Sequence, residues 1–249
     1  MSDLARHFDA EAAQYPTHIG SGHTQNRKWE LIDLHAPTDG RAADIGAASG
    51  RHAVKLAARA THVVAVDPSE KMLGKLVGHA RKNELAGIVQ PCAAALPDLP
   101  FSNDSFDLVY CFSTLLLLSP PAQIEALKNM SRMLRPGGIL IVDIAGAQSL
   151  AICYWRRHYR RQGLSGVFGQ KRTHIIRLLQ EMGLEMISCE PHGVLSQLLL
   201  VPGLQKFRGL DRRVRGSESA SGWDAMVSKR LPQFAERWYV VACKPIGAD

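Results

Sequence analysis

The stretch Ala42-Ala-Asp-Ile-Gly-Ala-Ala-Ser-Gly50 decides the fold. Ala42 to Ile45 reads as a short apolar strand that runs straight into a glycine-rich turn. A helix with a small-residue face, Ala53, Val54, Ala57 and Ala60, follows it. Strand, glycine turn and helix in that order open a parallel βαβ unit. The turn then lies at the carboxyl edge of the sheet, where such folds bind ligands. Glycine allows the backbone to come close to a ligand because no Cβ intervenes.

The pattern continues outward from this turn. Val63 to Val66 is a β-branched strand ending at Asp67. Pro68 suits a helix start, and Met72, Leu73, Leu76, Val77 and Ala80 form an apolar stripe after it. Ile88 to Cys92 and Phe106 to Phe112 read as strands. A helix after Pro120-Pro121 carries Ile124, Leu127, Met130 and Leu134 on one side and stops at Arg135-Pro-Gly-Gly138. Ile139 to Ile144 is the next strand. Strands alternating with helices of this length predict an α/β fold, a mostly parallel sheet with helices on both faces. Beyond it, residues 147–172 carry no sheet signal and are rich in Arg and Tyr. Thr173 to Met182 reads as a helix closed by Gly183, Leu184 to Cys189 as a strand, 194–215 as a long amphipathic stretch, 216–222 as a polar loop and Trp238 to Cys243 as the closing strand.

The ligand of the turn follows from spacing. The dinucleotide pattern G-x-G-x-x-G begun at Gly46 needs glycine at 48 and 51, where Ala48 and Arg51 stand. An acidic residue two positions before the first glycine would repel a pyrophosphate. The same carboxylate, Asp44, suits the ammonium of an amino acid. Asp67, at the end of the second strand, can accept both hydroxyls of a ribose. An amino acid joined to a nucleoside is S-adenosylmethionine (SAM), and an NAD enzyme would share only the second of these two carboxylates.

Residues 40–145 resemble the core of class I SAM-dependent methyltransferases, within the broad group that includes the ubiquinone/menaquinone-biosynthesis methyltransferases. The matching pieces are Ala43-Asp-Ile-Gly-Ala-Ala-Ser-Gly50, Val63-Val-Ala-Val-Asp-Pro-Ser-Glu-Lys-Met72, Leu99-Pro-Phe-Ser-Asn-Asp-Ser-Phe-Asp107 and Met133-Leu-Arg-Pro-Gly-Gly138, in order and correctly spaced. Phe8-Asp-Ala-Glu-Ala-Ala-Gln-Tyr15 resembles the segment that caps the cofactor in these enzymes. The resemblance implies a Rossmann-like seven-stranded sheet with its last strand antiparallel. It implies that Asp44, Gly46, Ala47 and Gly50 line the methionine arm, that Asp67 takes the ribose, and that Pro68 and Met72 border the adenine. Ala95 and Leu96 would approach the adenine edge, Cys111 would lie near the sulfonium, and Tyr15 would contact the cofactor from the cap. Two departures stand out. Ala48 replaces the middle glycine of the usual loop, a mild change if its backbone angles are ordinary. Alanines fill Cys92-Ala-Ala-Ala-Leu96 where many relatives place an acidic residue, so a backbone carbonyl or Asp98 is expected to substitute.

On this reading the chain is an enzyme with one methyltransferase domain over 1–249. It comprises an N-terminal cap (1–39), a SAM-binding core (40–145) and a C-terminal half (146–249) with acceptor-side lids at 147–172 and 194–235. The expected reaction is in-line methyl transfer to O, N or C of a small, hydrophobic or aromatic acceptor. A base is needed only if the acceptor is protonated. His23 and His158 are the candidates, against the alternative of exposed or structurally bonded rings. Arg156, Arg157, Arg160 and Arg161 cluster with Tyr154, Trp155 and Tyr159, as a lid drawing an anionic or aromatic substrate or as a solvated helix face. The other readings are an RNA or protein methyltransferase using that cluster, and a non-catalytic SAM-fold binding protein. No RNA module supports nucleic acid as partner. The stretch 194–215, basic and amphipathic, would cover the acceptor or touch a lipid-like substrate or membrane surface.

The whole chain sets bounds on this picture. The 249 residues suit one generous domain, and a net charge of +7 is compatible with an anionic partner or with solubility alone. The five cysteines form no C-x-x-C pair, so no metal site is expected and they read as buried small hydrophobes in a reducing cytosol. The first residues lack the apolar core of a signal peptide, and no apolar run approaches the ~20 residues that span a bilayer. A cytoplasmic protein is the expectation.

Overall fold

The computed structural model describes residues 2–19, 23–59, 61–200, 213–214, 216–217 and 220–247. Five strands run parallel: β1 (Arg41–Ile45), β2 (His62–Asp67), β3 (Val89–Ala93), β4 (Phe106–Cys111) and β5 (Leu134–Ala145). Between and before them come α1 (Asp3–Glu11), α2 (His23–His35), α3 (Arg51–Ala57), α4 (Glu70–Lys82) and α5 (Pro120–Met133). After β5 follow α6 (Leu150–Arg161), α7 (Arg172–Glu181), β6 (Glu185–His192), a two-residue hairpin β7 (Gly216–Ser217) and β8 (Ala220–Ser221), α8 (Trp223–Arg230) and β9 (Arg237–Cys243). The sheet order is β3-β2-β1-β4-β5-β9-β6, with β9 inserted antiparallel between β5 and β6. This is the expected seven-stranded Rossmann-like sheet.

Burial on both faces explains the near-continuous apolar strands. On one face Ile45, Val66, Val109 and Val142 pack with Leu127 and Met130 of α5 and Leu179 of α7. On the other, Ala42, Leu108 and Tyr110 pack with Ile32 of α2, Leu56 of α3 and Leu76 of α4. Helix α4 begins one turn after β2 because Ser69 Oγ accepts the Met72 N–H at 3.1 Å, an N-cap that directs Met72, Leu73, Leu76 and Ala80 inward. Pro68 therefore precedes the cap rather than opening the helix.

Several expectations change. Arg135-Pro-Gly-Gly138 is not a stop ahead of a separate strand, since β5 already begins at Leu134. A register irregularity against Phe106–Leu108 absorbs the run, and Lys244 closes it by accepting the Gly137 N–H and donating its own N–H to Gly138 O. Residues 216–222 hold the β7–β8 pair instead of a plain loop. Of the cysteines only Cys111 is buried, and Cys153 is exposed on α6. Of the amphipathic stretch, residues 201–212 and 215 lie outside the described residues, and Ser196–Leu200 is a 3-10 turn. Ala60 of the predicted α3 face also lies outside them. No helix among the described residues is long and apolar enough to cross a membrane.

Candidate functional site

The turn after β1 is held by the next strand. Gly46 and Ala47 N–H both donate to Val66 O, at 2.8 and 2.9 Å, and Gly50 N–H returns to Ala47 O at 2.9 Å. Gly46 and Gly50 have φ of +77°, and a Cβ at Gly46 would overlap the Thr114 side chain. Gly50 serves the fold, since a Cβ there would strike Leu76. Ala48 also sits in the left-handed region, with φ of +48°, so its backbone is not ordinary. Asp67 stabilises it: Oδ2 accepts the Ala48 N–H and Oδ1 the Ser69 N–H, each at 2.9 Å. A residue other than Gly, Asn or Asp there carries a strain on the order of 1 kcal/mol. Ala48→Gly is accordingly expected to raise stability by up to about 1 kcal/mol, read as a small upward shift in melting temperature.

A cavity opens above this turn. Tyr15, Asp44, Gly46, Ala47, Asp67 and Pro68 all line it, so six of the predicted cofactor residues meet in one place. A cleft continuous with it through Gly46 and Pro68 is lined by Ala95 and Leu96. Met72 and Cys111 are fully buried beneath the site and line neither space; their side chains belong to the core. Asp98 is exposed and outside the cleft, whereas Asp3, at the start of α1, lines the same cleft as Ala95. The carboxylate in that lining thus comes from the N-terminal segment, a long-range placement that local spacing does not show.

The two predicted carboxylates differ in state. Asp44 is 4 % exposed; the Tyr110 hydroxyl and the Ala53 N–H act weakly on its carboxylate, and its Oδ2 makes no hydrogen bond of normal geometry. Burial pushes its carboxyl up to about 7, against the opposing pull of the neighbouring Tyr110 and Arg51. Asp67 is raised by burial too, although the Ser69 and Ala48 N–H groups counter the rise. Two accepted N–H bonds leave two of its four lone-pair sites for a ligand. His52, missed in the sequence, also lines the cavity; burial, then Arg51 and Lys28, push it down to about 3, so it is neutral.

The N-terminal segment closes over this site. Asp9 Oδ1 accepts from Ser69 Oγ at 2.5 Å and from Lys71 N at 3.2 Å. Lys75 Nζ donates to Ala12 O and Ala13 O at 2.9 and 3.0 Å, and Ser49 Oγ donates to Pro16 O at 2.5 Å. Tyr15 lies under the Arg51 guanidinium at 5.6 Å.

A second cavity, about 180 Å³ in volume, lies beyond the ends of β4 and β5. Ala151, Ile152, Trp155 and Tyr159 of α6 form its apolar wall. Arg157, Arg160 and Arg161 are exposed, so α6 turns Trp155 and Tyr159 inward and most of its charge to solvent. Gln197 ties this helix down. Its Oε1 accepts from Ser149 Oγ at 2.9 Å and Ala151 N at 3.0 Å, and its Nε2 donates to Phe234 O at 2.7 Å.

The cavity floor is ionic, with Asp143, Glu236 and Arg237 in its lining, and no local motif announces it; Lys28, which lines the first cavity, joins the group from that side. Asp143 Oδ2 pairs with Arg237 Nη1 at 2.9 Å and with Lys28 Nζ at 3.4 Å, while Arg237 Nη2 reaches Glu236 Oε1 at 2.9 Å. Asp143 Oδ1 accepts the Ser113 N–H at 2.6 Å, and Lys28 Nζ donates to Ser113 Oγ at 2.7 Å. Ser113 lines both cavities.

The predicted bases fare differently. His158 is exposed, stacked on Tyr154 at 6.4 Å, and outside the cavity lining, because α6 turns Trp155 and Tyr159 inward instead. The side chain of His23 lies outside the described residues. His192 is buried with Nε2 at 2.9 Å from Thr24 Oγ1, a structural contact.

Known proteins fit this geometry. Residues 42–138 match the family model described as a methyltransferase domain. A demethylmenaquinone methyltransferase of Clavibacter sepedonicus is 40% identical over 141 residues, covering 54% of this chain and 55% of that protein. The chain spans about half the length of the curated relatives it matches. A geranyl diphosphate C-methyltransferase structure from Streptomyces coelicolor A3(2) superposes with a TM-score of 0.68 at 16% identity, over 97% of this chain and 96% of that one. The [4+2]-cyclase SpnF superposes with a TM-score of 0.67 at 20% identity, over 98% and 94%. Sheet order, glycine turn and superpositions agree: the chain has the class I SAM-dependent methyltransferase fold.

Proposed function

We propose that this chain is a SAM-dependent methyltransferase of a small, apolar or aromatic acceptor. The observation that carries the proposal is Asp44, a buried carboxylate whose Oδ2 lacks a partner, on the wall of a cavity that Asp67 also lines. A buried polar atom without a partner costs free energy unless a ligand supplies one. An ammonium satisfies Asp44, and a ribose satisfies the free lone pairs of Asp67. Tyr15 and the docked cap would shield the site from water.

Bound SAM supplies a methyl group on a sulfonium, already activated for displacement. The protein's part is alignment and exclusion of water. The shared Ser113 wall lets a donor in the first cavity face an acceptor in the second. The aromatic lining of α6 suits a ring or an apolar chain, and menaquinone-type and geranyl acceptors in the names of the relatives are of that character.

Deuteromethyl SAM incubated with the protein and a cell extract should give a mass-tagged small molecule. Label recovered only in RNA or protein would overturn the acceptor class. Label recovered nowhere, with SAM still bound, would favour a non-methylating role, as the cyclase with this fold makes conceivable. Asp67→Ala should weaken SAM binding by on the order of 1.5–3 kcal/mol, the loss of hydrogen bonds to a charged group, measured by calorimetry. Unchanged affinity would refute the donor placement.

A further inference from the structure

The floor of the second cavity carries no excess positive charge. Arg237 is the one cation in its described lining, and it is paired there with Asp143 and Glu236. Lys28 lines the first cavity and reaches Asp143 from that side, so nothing in the second cavity is left to hold an anionic acceptor. What the floor offers instead is a hydroxyl. Ser113 holds a left-handed backbone with φ of +57°, fixed by the bond from its N–H to Asp143. Such strain in a non-glycine residue persists where the surroundings over-determine it. The result is a Ser113 side chain exposed in the wall common to both cavities, with its Oγ hydrogen-bonded to a lysine that is 2 % exposed.

We propose that the acceptor is a neutral molecule carrying an acidic O–H, a phenol or enol, and that Ser113 and Lys28 form the relay that removes its proton. The inference rests on the methyltransferase reading and names its acceptor class. In the step, the acceptor O–H bond breaks and its electron pair stays on the acceptor oxygen. Ser113 Oγ gains that proton as its own passes to the lone pair of Lys28 Nζ. The products are an acceptor oxyanion and a Lys28 ammonium, so charge is conserved.

The surroundings of Lys28 suit this role. Burial pushes its ammonium down to about 8; Asp143 opposes the shift, and Arg237 and Arg51 reinforce it. The groups facing it are Asp143 on β5, Arg237 on β9, Arg51 on α3, the Ser113 hydroxyl and the Phe112 ring at 5.3 Å. At pH 7 about a tenth of such a group is neutral amine, on the order of hundreds of times more than an ordinary lysine provides.

The probe is 4-nitrophenol, whose phenolate absorbs visible light. Titrated into the full-length protein with S-adenosylhomocysteine, it should bind saturably, and its phenolate band should persist to a pH lower by about one unit than in water, a tenfold gain in phenolate. Lys28→Met should abolish that shift. Ser113→Ala should reduce it and serves alone if Lys28→Met does not fold. No saturable binding, a wild-type titration equal to that in water, or a shift unchanged by Ser113→Ala would overturn the proposal. Calorimetry with S-adenosylhomocysteine separates the two levels. No binding of that ligand by the wild type sinks the methyltransferase reading, whereas ligand binding without the phenol shift sinks the relay alone.

Discussion

Asp44→Asn should lower SAM affinity by about 3 kcal/mol at pH 8, more than a hundredfold, while making the ligand-free protein more stable. Both effects have one cause. The carboxylate is buried with one oxygen unpartnered, so burial holds its pKa near 7. A ligand ammonium needs the ionised form. Wild-type affinity should therefore fall as pH drops below 7, by up to about tenfold per unit, with a proton released on binding. Asparagine has no charge to offer and no proton to release, so its weaker binding should be flat with pH. The stability effect has the opposite sign. Between 3.8 and about 7 the folded chain keeps a proton that the unfolded chain has lost. The native state then binds more protons, and stability falls as pH rises through that window. Asparagine escapes this penalty, which is on the order of 2–4 kcal/mol. Thermal melts of the two proteins should nearly coincide at pH 4 and separate at pH 8, with the variant higher. A variant that melts lower at pH 8, or that binds SAM as tightly as wild type, contradicts the role given to Asp44.

The first cavity was legible in sequence because its parts are local. Asp44, Gly46 and Gly50 stand in one turn, and Asp67 ends the adjacent strand, so period and spacing suffice to bring them together. Strands β1, β2 and β3 fall within one residue of their predicted limits for the same reason. The ionic group around Ser113 was not legible. Lys28 and Ser113 are 85 positions apart, Ser113 and Asp143 30, and Asp143 and Arg237 94. No pattern within a window of sequence joins them; the sheet order does, by laying β9 against β5. Helix α2, which delivers Lys28, lacks a clean apolar stripe: among its buried residues are Leu31, Ile32 and Lys28 itself. Ala48 shows a subtler gap. Its left-handed backbone is imposed by the Asp67 side chain from another strand, which residue preference alone would not predict.

Asp143→Asn should destabilise the fold by about 3–5 kcal/mol at pH 6, the cost of leaving buried charge without its partner. Asp143 is 2 % exposed and serves three groups: the Ser113 N–H, Arg237 and Lys28. Burial alone would raise its carboxyl, but Lys28, Arg237 and the Ser113 N–H outweigh that and hold it below its usual value. A depressed native pKa means that this carboxylate stabilises the fold above 3.8 and that its contribution is lost as pH falls through the native value. Asparagine keeps an oxygen for the Ser113 N–H but no charge for the cations. Arg237 still has Glu236. Lys28 has no other ion-pair partner among the described residues, so the variant's cost should fall mainly on it. That makes the penalty depend on pH in a definite direction. Asp143 currently raises the Lys28 pKa, and without it the value must drop below about 8. As pH climbs from 6 to 9, Lys28 loses its proton and the unpaired charge disappears, so the gap between variant and wild type should narrow. Adding Lys28→Met should recover much of the loss at pH 6, because the methionine side chain fills a similar volume without a charge. Denaturant titrations at pH 6 and 9 decide the matter. A single variant that loses less than about 1 kcal/mol, or a loss equal at both pH values, would mean that water or Arg237 already compensates Lys28. The pair of Lys28 with Asp143 would then be purely structural, and the proposed relay would lose its proton acceptor.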